Sequence, residues 1–147
     1  KNYEINNALQ NHIFHKLALS DKQEDGYIYF GDVEFENPGG ATLDKTRNLI
    51  NTQREKIKIE RLDDLYHFKD QKIFIKIDVE GFEKRVIEGA VNNLKNNKIL
   101  MYLETQNQEL LNYMEGLNFK ILYPFFRENS YKFLKKKAGV DVLFKNF

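Results

Sequence analysis

Cysteine is absent from the 147 residues, which excludes disulfides and thiolate metal sites and fits a reducing compartment. No apolar stretch approaches the roughly 20 residues needed to span a bilayer, and no signal peptide is recognisable, so the expected location is the cytoplasm. There is no stretch rich in proline, glycine and serine to act as a linker and no internal repeat, so residues 1–147 are expected to form a single domain. An excess of either charge is lacking too: 23 Lys and Arg face 22 Asp and Glu, a formal net charge of +1. A nucleic-acid partner would want a basic stripe, and the only tight basic run is Lys135-Lys136-Lys137, which reads as a solvated loop. Nucleic acid and membrane are therefore not expected partners. Residue 1 is Lys rather than Met, so the chain is expected to derive from something longer.

What is present suits a folded globular protein: 41% hydrophobic and 14% aromatic residues, enough for one core. The many asparagines, as at Asn92-Asn93 and Asn96-Asn97, read as compositional bias. Ile5 and Leu9 lie four apart, as at the end of a helix. His12 to Leu19 reads as a strand stopped by Ser20-Asp21. Asp25-Gly26 signals a turn before a short strand, Tyr27-Ile28-Tyr29-Phe30. Asn37-Pro38-Gly39-Gly40 forms a loop. Ile57 and Ile59 alternate with Lys56, Lys58 and Glu60, as in a half-buried strand.

The clearest pattern follows. Ile73-Phe74-Ile75-Lys76-Ile77 is a mostly apolar run ending on Asp78. After Gly81, residues Phe82, Val86, Ile87, Ala90, Val91 and Leu94 recur at helical spacing and predict one amphipathic helix. Ile99 to Leu103 is a second apolar run, ending on Glu104. Leu110, Leu111, Met114 and Leu117 mark a further helix, which Gly116 and Asn118 help to end. Phe119–Tyr123 and Val140–Phe144 are the last strands. Alternation of strands and helices points to an α/β protein with a parallel sheet, in which the final strand is free to return antiparallel.

In open α/β sheets ligands bind beyond the carboxyl ends of the strands. Asp78 and Glu104 each close a strand, and if those strands are parallel neighbours both acids face one crevice. A carboxylate there can orient a hydroxyl, accept its proton, or bind a cation. Glu83, in the first turn of the following helix, reads as a charge complementing the macrodipole. Asp78 and Glu80 stay open between that structural part and a chemical one. His12 and His15, three apart on a presumed strand, point to opposite faces and make no ligand pair. His67 lies in a polar loop, and no metal site is expected. Tyr102, Tyr123, Phe125 and Phe126 read as core or pocket wall.

The stretch Phe74-Ile75-Lys76-Ile77-Asp78-Val79-Glu80-Gly81-Phe82-Glu83, with Val86-Ile87-Glu88-Gly89-Ala90 behind it, closely resembles the signature of FkbM-type methyltransferases: a strand reading I-K-I-D-V-E-G, an acidic residue, and a helix ending in G-A. The flanks agree. Asn2, Asn6 and Leu9 resemble the N-rich helix before the family's third strand. Leu17-Ala18-Leu19-Ser20-Asp21 resembles the A-L-S-D at that strand's end. Gly39-Gly40-Ala41-Thr42-Leu43 resembles the glycine-serine loop, Arg61-Leu62-Asp63-Asp64-Leu65 resembles T-L-D-D-L, and Glu104 matches the acid closing the fifth strand.

The resemblance implies a class I methyltransferase, Rossmann-like α/β sheet, mostly parallel with an antiparallel last strand and lacking here its first two strands. It implies methyl transfer from S-adenosylmethionine to a hydroxyl of a saccharide or other small molecule. Ala18, Ser20, Asp21 and Asp78 would then meet the cofactor, Asp78 and Glu80 would be catalytic, and Gly39, Gly40 and Glu104 would line the acceptor side. The glycine-rich turn and the ribose-binding acid of the family's first two strands have no counterpart, and Gly39-Gly40 does not replace them. A non-catalytic remnant or binding module with the same fold is the alternative expectation. The two strands without counterpart belong between the strand ending at Leu19 and the one ending at Asp78. Ile73–Ile77 is therefore expected to pair with Ile99–Leu103 on one side only, leaving a false groove where the cofactor's support would stand and an edge prone to aggregation or homodimer formation.

Overall fold

The computed structural model describes residues 12–31, 41–46, 53–105, 107–122 and 141–147. The expected helix near Ile5 and Leu9, the loop with Gly39 and Gly40, the lysine run at 135–137, and Tyr123, Phe125 and Phe126 lie outside these residues.

The chain is α/β, with two mixed sheets. The first sheet has the order β1-β3-β2, from β1 (Leu17–Leu19), β2 (Glu24–Phe30) and β3 (Gln53–Glu60). The second has the order β4-β5-β7-β6, from β4 (Lys72–Ile77), β5 (Lys98–Glu104), β6 (Lys120–Leu122) and β7 (Asp141–Lys145). Among the described residues four short helices lie between the strands: α1 (Leu62–Leu65), α2 (Glu83–Glu88), α3 (Val91–Lys95) and α4 (Gln108–Gly116).

The expectation of a mostly parallel sheet is corrected. β1–β3 and β4–β5 are parallel, whereas β2–β3, β5–β7 and β6–β7 are antiparallel. The last strand does return antiparallel beside β6, and it also inserts between β6 and β5. As expected from the sequence, β4 pairs with β5 alone, so its other edge is bare among the described residues.

Other boundaries move for local reasons. Only Leu17–Leu19 of the run from His12 is strand. Asp25-Gly26 is not a turn but lies inside β2: Asp25 faces Lys58 across the ladder and its carboxylate binds the ammonium groups of Lys56 and Lys58. Gly26 suits that place because a β-carbon would sit 2.5 Å from the Ile59 side chain. The single helix expected from Phe82 to Leu94 is two, broken at Gly89-Ala90. A β-carbon on Gly89 would lie 1.9 Å from the Ser20 carbonyl oxygen, so the chain turns there to let β1's end approach.

The core lies on one face of the second sheet. Ile99, Met101, Leu103 and Phe144 are fully buried against Ile87, Leu94, Leu110 and Met114. Each such side chain contributes on the order of 1.5–3 kcal/mol of burial. Asparagines carry more than compositional bias. Buried Asn93 donates through Nδ2 to the Asp63 carboxylate and the Tyr66 carbonyl, and accepts from the Phe68 N–H. Asn97 serves Gln71, Phe68 and Asn93 in the same way. Asn146 donates to the Leu94 and Asn97 carbonyls and accepts from the Ile99 N–H. Loop backbone that would otherwise be buried without partners is thereby satisfied. Buried Asp63 accepts the N–H groups of Asn92 and Asn93, capping α3 from a distant part of the chain where Ala90 has no side-chain acceptor.

The bare edge of β4 has a measurable consequence. Alternate amides of Ile73–Ile77 that point away from β5 should exchange with deuterium much faster than those bonded to it. Uniform protection in a chain shown to be monomeric would mean that this edge is covered.

Candidate functional site

β1 and β4 both end at one cavity of about 390 Å³ between the two sheets. Leu17, Ala18 and Leu19 line it from β1 and Ile75 to Val79 from β4 and its end, with Thr42 and Met101 also in the lining. The lining is mainly aliphatic because β4 turns Ile75 and Ile77 toward the core, where Val86, Ile87 and Leu94 also line the cavity. Among its described lining residues Asp78 is the one acid and Lys76 the one base. Their side chains meet at 3.1 Å and both are exposed, so this pair holds the carboxylate in place more than it stabilises the fold.

Past Asp78 the chain makes a tight turn. Glu80 has φ 50° and Gly81 φ 97°, two successive residues in the left-handed region. For glycine this is free of strain; for Glu80 it costs roughly 1–2 kcal/mol. The turn is held at both ends. The Gly81 N–H donates to the Glu83 carboxylate at 3.0 Å, and the Thr42 hydroxyl faces the Glu80 carbonyl at 3.5 Å. Glu83 thus serves the start of α2, the structural part its position suggests. Thr42 is buried, with its backbone bridged to Tyr29 in both directions. Its importance was not evident in the sequence beyond its place in the glycine loop, because the bridge to Tyr29 is long-range.

The expected site residues are distributed unevenly. Ala18 and Asp78 face the same cavity. Ser20 and Asp21 lie just past β1 and do not line it. Ser20 is buried, its N–H bonded to the Glu60 carbonyl, and its hydroxyl donates to the Asp21 carboxylate at 2.8 Å. That bond holds the Asp21 carboxyl below the ordinary carboxylate range. Burial opposes it, while its own N–H and the charges of Arg85 and Lys22 assist. Arg85 also packs over the Phe82 ring, 5.2 Å from its centroid, at the mouth formed by α2. Glu104 ends β5 with its backbone paired to Asp141, and its side chain lies outside what the structure describes. Glu80 is exposed on the turn rather than in the cavity wall. Gly39 and Gly40 lie outside the described residues. His15 and Tyr66, joined at 2.5 Å, sit away from this cavity. No group of three His, Cys, Asp or Glu side chains converges to hold a metal among the described residues, and no described helix is long and apolar enough to cross a membrane.

An aliphatic floor with one carboxylate at its rim can exclude water from a bound group and accept a proton from a hydroxyl placed over it. The sequence profile of the methyltransferase FkbM domain matches residues 1–133. No curated protein and no solved structure matches the chain.

The Ser20–Asp21 bond can be tested by titration. The Asp21 folded-state pKa lies below its unfolded value near 3.8. Its contribution to stability is therefore present above that value and is lost as pH falls through the folded pKa. Carboxyl NMR should give an Asp21 midpoint below the usual Asp range, moving upward in Ser20→Ala. An unchanged midpoint in Ser20→Ala would assign the depression to the basic neighbours instead.

Proposed function

Because the chain belongs to the FkbM methyltransferase family, we propose that it forms part of an S-adenosylmethionine-dependent O-methyltransferase acting on a hydroxyl of a saccharide or similar small molecule. The observation that carries this reading is the meeting of Ala18 and Asp78, ends of two strands in separate sheets, at one cavity. The order β4-β5-β7-β6 with β7 antiparallel supports it, since it agrees with the second half of a class I methyltransferase sheet. In that arrangement β1 is the third strand of the complete sheet, and the space between β1 and β4 belongs to the first two.

The donor chemistry of the residues fits this cofactor. Its cationic sulfonium suits the carboxylate of Asp78 at the rim, beyond the strand ends, while the aliphatic walls beneath are left for the first two strands to cover. When bound, S-adenosylmethionine supplies a methyl carbon open to attack by an acceptor oxygen, with S-adenosylhomocysteine leaving. Asp78 takes the proton that the acceptor hydroxyl loses. Lys76 holds that carboxylate in position. The Glu80–Gly81 turn, held by Glu83 and Thr42, keeps the acceptor side open beside Asp78, and Glu104 extends it from the neighbouring strand. Ser20 and Asp21 bound the adenine side from the end of β1. Alignment of acceptor and methyl group accounts for most of the acceleration, because the donor is already reactive.

Formation of S-adenosylhomocysteine should test these assignments in the protein carrying the full cofactor-binding half. Asp78→Asn is expected to lower turnover roughly 100-fold or more. Glu83→Gln should leave turnover nearly unchanged and cost a few tenths of a kcal/mol in stability, as a charge at a helix start. Equal turnover losses would overturn the assigned roles, and no methyl transfer at all with an intact cofactor half would favour a binding module.

A further inference from the structure

The face of the second sheet turned away from α2, α3 and α4 carries a pattern that the methyltransferase reading leaves unused. Register places Lys72 directly beside Lys98, and Lys120 directly beside Lys145. By alternation all four lie on the face that carries Phe74 and Leu100. Like charges opposite one another in a sheet are destabilising, so the arrangement is unfavourable in the isolated protein. Lys16, Lys22, Lys56, Lys58, Lys76 and Lys84 each have a carboxylate partner, whereas these four, like Lys45, Lys69 and Lys95, form no ion pair among the described residues. A net charge of only +1 does not force such crowding.

Between these lysines the surface is apolar and recessed. Phe74 and Phe147 are 63% and 61% exposed, and with Leu100 they line a groove of about 430 Å³ whose remaining lining includes Lys72 and Lys98. The Lys145 ammonium stands 5.6 Å from the Phe147 ring centroid, at the same groove. Lys72 begins β4 and Asp78 follows its end, so this groove lies at the opposite end of the strand from the proposed site.

We propose that this face docks an acidic amphipathic segment of a partner protein, with a bulky apolar side chain seated between Phe74 and Phe147 and carboxylates on Lys72 and Lys98. Charge complementarity selects that occupant. Its carboxylates relieve the lysine repulsion, and its apolar side chain covers the two rings. A recessed groove receives a side chain, whereas a bilayer surface would call for apolar groups on a protruding tip. A second copy that pairs through this same face is a poorer match, since it would set the lysines of one copy against those of the other. The inference uses no residue of the methyl-transfer site and stands or falls separately from it.

The probe is a fluorescent helical peptide with leucine and phenylalanine on one face and glutamate on the other, alongside the same peptide with glutamine for glutamate. The acidic peptide should bind the protein, and binding should weaken as salt is added. K98E should weaken it roughly tenfold or more, as should the glutamine peptide, because each removes a charge pair. K98E should also raise the Tm of the free protein, by placing a carboxylate opposite Lys72. That gain shows the variant is folded and separates lost binding from lost structure. Phe74→Ser, at an exposed position, should weaken binding with the Tm unchanged. Failure of the acidic peptide to bind, or equal binding by K98E, overturns the proposal. So does co-sedimentation with phosphatidylserine vesicles by a protein that ignores the peptide, which would assign the face to a membrane surface.

Discussion

The arrangement of the molecule depends on how closely the backbone at Gly89 approaches the end of β1. The position that a β-carbon would take on Gly89 is 1.9 Å from the Ser20 carbonyl oxygen, so only glycine permits this packing. On its other side the Gly89 carbonyl accepts the Asp63 N–H at 2.9 Å. One residue therefore touches the first sheet at β1 and is tied to α1, which follows β3. Asp63 completes the tie by capping α3 with its carboxylate. Among the described residues the two sheets share no ladder, and these contacts bring the ends of β1 and β4 to a common cavity.

A chain that breaks its helix to admit a neighbouring strand gives up helical hydrogen bonds, and the structure offsets this locally. Ala90 and Asn96 begin and end α3 without side-chain caps of their own. Asp63 supplies the first, while Asn93 and Asn97 project from the α3 region to bond loop backbone from Tyr66 to Gln71. Removing a buried, fully bonded amide leaves several donors and acceptors without partners, each costing roughly 1–3 kcal/mol. The asparagines of this stretch are thus structural in a specific sense: they replace the hydrogen bonds that short helices and irregular loops do not make. The turn at Glu80-Gly81 is the converse, a place where backbone strain is retained beside the carboxylate assigned to proton transfer.

Much of this was legible in the residues. Alternation and apolar runs located β3, β4, β5 and α4. The I-K-I-D-V-E-G stretch marked the strand-turn-helix that presents Asp78. What was not legible was tertiary in origin. Asp25-Gly26 has the composition of a turn, yet paired lysines on β3 draw it into β2. The periodicity from Phe82 to Leu94 is continuous across Gly89, because both short helices bury the same side, so the break is invisible until β1 is in place. Buried asparagines look like solvated ones until their backbone partners are known. The hydrogen bond that joins Ser20 to Asp21 just past β1 has no signature in the sequence either.

The claim that one close backbone approach organises the cavity is most directly tested by Gly89→Ala, a substitution that Gly89's backbone, at φ −76°, tolerates without strain. Any effect must then come from the clash with Ser20. Urea denaturation should show a loss of about 2 kcal/mol or more, in the range of a forced overpacking. Amides at β1 should lose protection at the same time, while those of β5 and β7 keep it. Wild-type stability with β1 fully protected would contradict the account.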